Sequence, residues 1–175
     1  ARERNDLTIA GCWSHARRDF ADVVKSAGKE KGSVQESICY KAFQIIQTMF
    51  RYEQGYADMP PEESLEQRKR NVAPLVAAFF AYLKYEQGHV APKMKTGRAI
   101  SYCINQESFL RVFLTDGAVP MTNNAAEQSI RPFTLGRKNW YLIDTSGGAK
   151  SSAIAYSIAE TAKANNLKPY EYFKY

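Results

Sequence analysis

A single carboxylate followed at once by several cations is the arrangement in this sequence best suited to chemistry. Glu127 closes the stretch Thr122-Asn-Asn-Ala-Ala-Glu127, and Arg131, Arg137, Lys138 and Trp140 come directly after it. A carboxylate is a hard oxygen ligand for a divalent cation. Arginine forks grip phosphate oxygens in pairs, and an indole stacks on an exposed base. Together these residue types point to metal-assisted chemistry on a nucleic-acid backbone. One carboxylate does not hold such a metal by itself.

Helix-capping physics gives the same residues a plainer role. Asn124-x-x-Glu127 has the spacing of a capping box, with Asn124 as the cap and Glu127 reaching back to its N–H. Pro132 then limits the helix to about two turns. Ala126, Ile130 and Phe133 form its buried stripe. On these residues alone the structural reading is favoured over the metal ligand, and scattered cations are ordinarily a solvated surface. The clustering of Arg131, Arg137, Lys138 and Trp140 argues against that for the basic residues.

A second cluster, Cys12-Trp-Ser-His-Ala-Arg17-Arg18, puts two arginines in the first turn of a helix, where the dipole disfavours them. A partner anion or nearby acids such as Asp19 and Asp22 would compensate. Asp22 stands four residues after Arg18, a workable ion-pair spacing. Cys12 and His15 have metal-ligand spacing, but no second pair completes a zinc site. A buried thiol and a hydrogen-bonded histidine fit better.

Elements able to position these residues follow from the hydrophobic pattern. The chain has 175 residues, 45% of them hydrophobic, which sets it among globular chains with a real core. No apolar run is long enough to span a membrane, and from the polar start no signal peptide is expected. Lys plus Arg number 24 against 18 Asp plus Glu, and the pI is near 9.2, a weak pointer to a polyanionic partner. Three widely spaced cysteines, Cys12, Cys39 and Cys103, imply a reducing cytoplasm and no disulfide framework.

Residues 7–13 read as a short buried strand, with Ser14 capping the helix that follows. Helical spacing covers 33–58, 61–88, 93–105 and 108–115. Pro60 and Pro61 end the first of these, and Pro74 kinks or splits the second. Residues 140–143 read as a second strand, 144–148 as a loop and 150–165 as an alanine-rich helix, with a last helical turn from Pro169. The fold class is mainly α, with one or two short strands that need a partner.

These segments resemble the insertion-sequence-66 family of bacterial transposases. Gly11-Cys-Trp-Ser-His-Ala-Arg-Arg-Asp-Phe20 resembles one family motif. Asn123-Asn-Ala-Ala-Glu127, Ile130-Arg-Pro-Phe133 and Gly136-Arg-Lys-Asn-Trp140 resemble a second. Gly148-Ala-Lys150, Glu160-Thr-Ala-Lys-Ala-Asn165 and Pro169-Tyr170 resemble the C-terminal helix. The resemblance implies a DDE transposase with a ribonuclease-H-like α/β catalytic domain. Two aspartates and a glutamate there hold two divalent metals, Mg2+ or Mn2+, that cut and join DNA at transposon ends.

Glu127 matches the family's glutamate. The matching aspartates are expected upstream of residue 1, so the chain is read as a C-terminal fragment that alone binds metal poorly and is inactive. Residues 1–30 would close the first part of the catalytic core, 31–118 form a helical insertion, and 119–175 resume the core. Arg17, Arg18, Arg131, Arg137, Lys138 and Trp140 would contact DNA, while Asn123, Asn124 and His15 orient the site. A bacterial, cytoplasmic homo-oligomer acting on DNA is implied. Where the family often has an acid before the Asn pair and an arginine after the glutamate, this chain has Thr122 and Gln128. The alternative is a non-catalytic helical DNA-binding or assembly module, with Glu127 a plain capping residue.

Overall fold

A computed structural model describes residues 7–26, 37–136 and 145–174, except for the side chains at 132, 133, 135 and 136. The chain divides into two units, Ala1–Asn123 and Asn124–Tyr175. Every regular element among the described residues is helical.

The first unit is built around an aromatic core. Helix α1, Trp13–Ser26, buries Trp13, Ala16 and Phe20 on one face. The Trp13 ring meets Phe79 edge-on at 5.3 Å and lies 6.3 Å from Phe113. Its indole N–H donates to the Leu110 carbonyl at 2.9 Å, so the one polar atom of this buried ring is satisfied. The strand expected over residues 7–13 does not form. Leu7 and Ile9 are 60% and 68% exposed. The Gly11 and Trp13 N–H groups go to the isolated carbonyls of Phe109 and Met121 instead of a ladder. Among the described residues there is no strand for this apolar run to pair with. Helix α1 therefore starts at Trp13, one residue before the expected cap at Ser14.

Helix α2, Ile38–Gly55, is capped by Ser37, whose hydroxyl accepts from the Tyr40 N–H. It buries Cys39, Ala42, Ile46 and Met49. Helix α3, Pro61–Gln67, runs through a π turn, Arg68–Val72, into helix α4, Ala73–Glu86. The stretch is divided in two as expected, with Pro74 in the first turn of α4 just past the π turn. The π turn takes up the strain, because the Ala73 N–H reaches back five residues to the Arg68 carbonyl just before the proline. Ser64, Arg68, Val72, Val76 and Phe80 are all buried at a spacing of four. In a regular helix a spacing of four drifts by about 40° per step. The wider π turn takes back part of that drift and keeps Arg68 facing inward.

Helix α5, Lys95–Asn105, contributes Ala99, Ile100 and Cys103 to the core. The short helix α6, Glu107–Leu110, and a 3-10 turn, Val112–Leu114, add Leu110 and Phe113.

The second unit is different in kind. It holds helix α7, Asn124–Gly136, helix α8, Ser146–Ala164, and helix α9, Pro169–Phe173. Ala162 is the one buried residue among its described side chains. Residues 146–148, expected in a loop, form the first turn of α8, because the Thr145 hydroxyl caps the Gly148 N–H at 3.0 Å. Of the apolar positions four apart on α8, Ile154 and Ile158 are exposed, Ile154 at 51%, and Ala162 is buried.

Glu107 ties α6 to its surroundings. Lys84 reaches its carboxylate at 2.8 Å and Arg111 at 2.7 Å. Burial pushes this carboxyl up, but the hydrogen bonds and charges of Lys84 and Arg111 outweigh that and hold it below its ordinary value. A depressed folded pKa gives stability that is complete above the unfolded value, about 4.3, and is lost as pH falls through the folded one. The urea midpoint of Glu107→Gln should lie below that of the parent at pH 7, with the gap closing below about pH 4.

Candidate functional site

Glu127 lies in the first turn of α7, where the helix dipole favours a negative charge. The helix begins at Asn124, with Asn123 immediately before it. Glu127 is therefore the fourth helical residue, one past the position a capping box requires. Pro132 does not stop the helix, which continues to Gly136. An interior proline forfeits one backbone hydrogen bond, and here the helix carries on past that loss.

Asn124, Glu127, Gln128 and Arg131 recur at helical spacing and share one face. With Ile130 and Thr134 they line an open depression of about 490 Å3. Every described side chain of α7 is exposed, including Ala126 and Ile130, the latter at 57%. The stripe expected to be buried is thus exposed at both positions the structure describes; the Phe133 side chain lies outside the described residues. The Glu127 carboxylate and the Arg131 guanidinium are one turn apart on a solvent-facing surface. Arg137, Lys138 and Trp140 lie outside the described residues, as does the strand expected over 140–143.

The two arginines of α1 part company. The Arg17 Nε donates to Gln47 Oε1 at 2.7 Å, and its guanidinium lies 5.1 Å from the Phe43 ring centroid and 5.9 Å from that of Phe50. It braces α1 against α2. Arg18 is exposed, and among the described residues it forms no ion pair with Asp22. His15 is half-buried beside the buried Cys12.

All three cysteines are buried and unbridged. Burial raises the Cys39 thiol, and burial together with the Asp19 charge pushes Cys103 up to about 12. Such thiols are poor nucleophiles. No three His, Cys, Asp or Glu side chains converge among the described residues. Glu127 offers one hard ligand where a divalent cation takes about six oxygens, so the described residues do not by themselves fit that ion.

A family model described as Transposase IS66 family matches residues 1–151. The chain belongs to the IS66 transposase family. Two similar proteins, both from Sinorhizobium fredii (strain NBRC 101917 / NGR234), are the uncharacterized proteins y4qI and y4hP, each 30% identical to this chain. The alignments cover 95% and 93% of this chain and 30% of each relative. The chain thus spans about 30% of the length of the curated relatives it matches. No solved structure matches it. The IS66 family match includes Glu127, Arg131 and both arginines of α1. No helix among the described residues is long and apolar enough to cross a membrane.

Sequence reasoning missed Arg68 and Glu53. Arg68 is only 5% exposed and is paired with the Glu53 carboxylate at 2.8 Å. Its place on the apolar spacing-of-four stripe was the available signal.

Arg17 and Arg18 differ in a way that mutation should expose. Arg17→Ala loses a hydrogen bond and two ring contacts and should cost about 1–2 kcal/mol in urea unfolding. Arg18→Ala should stay within about 0.5 kcal/mol of the parent.

Proposed function

We propose that this chain is part of a transposase that cuts and joins DNA at transposon ends, and that Glu127 is its catalytic carboxylate. The observation that carries the reading is the family match across Glu127, combined with the position of that residue in the first turn of an exposed helix. In this reading residues 119–175 belong to a ribonuclease-H-like α/β catalytic domain and 31–118 are a helical insertion in it. The remaining acidic ligands lie outside the described residues. Magnesium or manganese held by the complete set would neutralise charge at the reacting phosphate.

This chain's own residues do the rest. Glu127 stands exposed in the first turn of α7, where the helix dipole favours a negative charge. Asn123 and Asn124 set the start of that helix. Arg131 takes a phosphate oxygen one turn from the carboxylate, and Arg137, Lys138 and Trp140, which lie outside the described residues, also contact the DNA. Arg18 is free to contact a phosphate, whereas Arg17 has a bracing role. The partners are DNA and further copies of the transposase.

The first-turn position of Glu127 also favours a second reading. A carboxylate there stabilises α7 through the dipole alone, as it would in a non-catalytic DNA-binding or assembly module.

A full-length family member carrying this chain separates the two. Glu127→Gln should lower strand cleavage at least about 100-fold, the scale for removing a group that faces a transition state. Its DNA affinity at low salt should be unchanged. Arg131→Gln should weaken DNA binding and reduce the salt slope by about 1. Normal cleavage by Glu127→Gln would establish the module reading instead.

A further inference from the structure

Arg68 uses its whole guanidinium on two targets. Nε and Nη2 grip the Glu53 carboxylate at 2.9 and 2.8 Å. Nη1 faces four carbonyls of one segment: Phe113 at 3.0 Å, Asp116 at 3.2 Å, Gly117 at 3.3 Å and Val119 at 2.9 Å. The Phe113 ring covers the guanidinium at 5.5 Å.

The gripped segment is stiff in its own right. The Asp116 carboxylate accepts from the Ala118 N–H at 2.8 Å, and the Val119 N–H donates to the Asp116 carbonyl at 3.2 Å. Gly117 is pressed so close to α3 that a Cβ there would collide with the Pro61 carbonyl. Past Pro120, the buried Met121 accepts from the Trp13 N–H at 3.2 Å. The chain is thereby held from Phe113 to Met121. Thr122 and Asn123 alone separate that anchor from the helix that carries Glu127.

A buried ion pair is a poor device for stability, because well-packed apolar residues do as well or better. What it supplies is direction, and here the two Nη1 hydrogens are shared among four carbonyls of the segment leading to α7. We propose that Arg68 and Glu53 are positioning residues for the glutamate helix. They fix the point at which the chain leaves the Ala1–Asn123 unit, so that Glu127 has less conformational freedom to lose when it engages DNA. The inference rests on the reading of Glu127 as the catalytic carboxylate.

The test uses the full-length transposase and three variants. Arg68→Lys keeps the charge and loses the fork. Gly117→Ala displaces the segment from Pro61 and leaves Arg68 in place. Val72→Ala opens a core cavity on the same buried stripe and removes none of the hydrogen-bonding groups of the clamp. All are assayed well below their melting temperatures. Arg68→Lys and Gly117→Ala should lower kcat for strand cleavage by about 10- to 100-fold with KM for DNA unchanged, the scale of a small misplacement. Hydrogen exchange at the Ala118 and Val119 amides should speed up in both. Val72→Ala should keep kcat within about twofold at a comparable fall in Tm. Equal kcat losses in all three variants would reduce the clamp to a stability element and overturn the proposal. So would unchanged exchange at Ala118 and Val119. Intact cleavage in Glu127→Gln would overturn the catalytic reading itself; loss there with normal kcat in Arg68→Lys and Gly117→Ala would overturn the positioning role alone.

Discussion

A guanidinium carried into the interior must be fully partnered, and the helical unit is arranged around that requirement. Arg68 can be buried because Glu53 neutralises it and a ring of carbonyls takes its remaining donors. Each partner comes from a different part of the chain. Glu53 stands near the end of α2, Arg68 opens the π turn between α3 and α4, and the carbonyls lie on the segment after Phe113. Removing one partner would leave a buried charge unpaired, at a cost of about 3–5 kcal/mol. The π turn that accommodates Pro74 also keeps Arg68 on the inward stripe. Backbone irregularity, proline and buried charge therefore form one solution.

The two units differ in how their helices are held. In Ala1–Asn123, α1, α2, α4 and α5 close over Trp13, Phe20, Phe79 and Phe80. In Asn124–Tyr175, large apolar side chains stay open, from Ile130 in α7 to Tyr170, 74% exposed, in α9. A stretch this short with a single buried residue among those described has little apolar burial to offset the entropy of ordering it. The chemistry assigned to Glu127 thus resides in the less self-sufficient part of the chain. The relatives, more than three times as long as the matched stretch, have ample further polypeptide.

Much of the helical unit was legible because its signal is periodic. Val72, Val76, Phe79 and Leu83 repeat at helical spacing and are buried as a set. Residues 7–13 misled because an apolar run reads as a strand whether or not a neighbour exists to pair with it. The two prolines differ in outcome. Pro74 marks a division of its stretch at the π turn, as expected, whereas α7 runs on through Pro132 to Gly136. Arg68 went unseen because a cation is assigned to the surface by default, and only tertiary partners reverse that. At the candidate site Glu127 and Arg131 were singled out by type and spacing, and the structure puts both beside one exposed depression. The register of the helix start was not legible, because adjacent asparagines at 123 and 124 can each cap it.

A packed helical unit, held at Arg68, leads into a glutamate-bearing unit with one buried residue, Ala162, among its described side chains. Native-state hydrogen exchange on this chain tests it most directly. The account predicts that amides in α1, α2 and α4 exchange only through global unfolding. Those in α7 and α8 should exchange orders of magnitude faster, through local opening. Protection in α7 and α8 equal to that in α4 would contradict it.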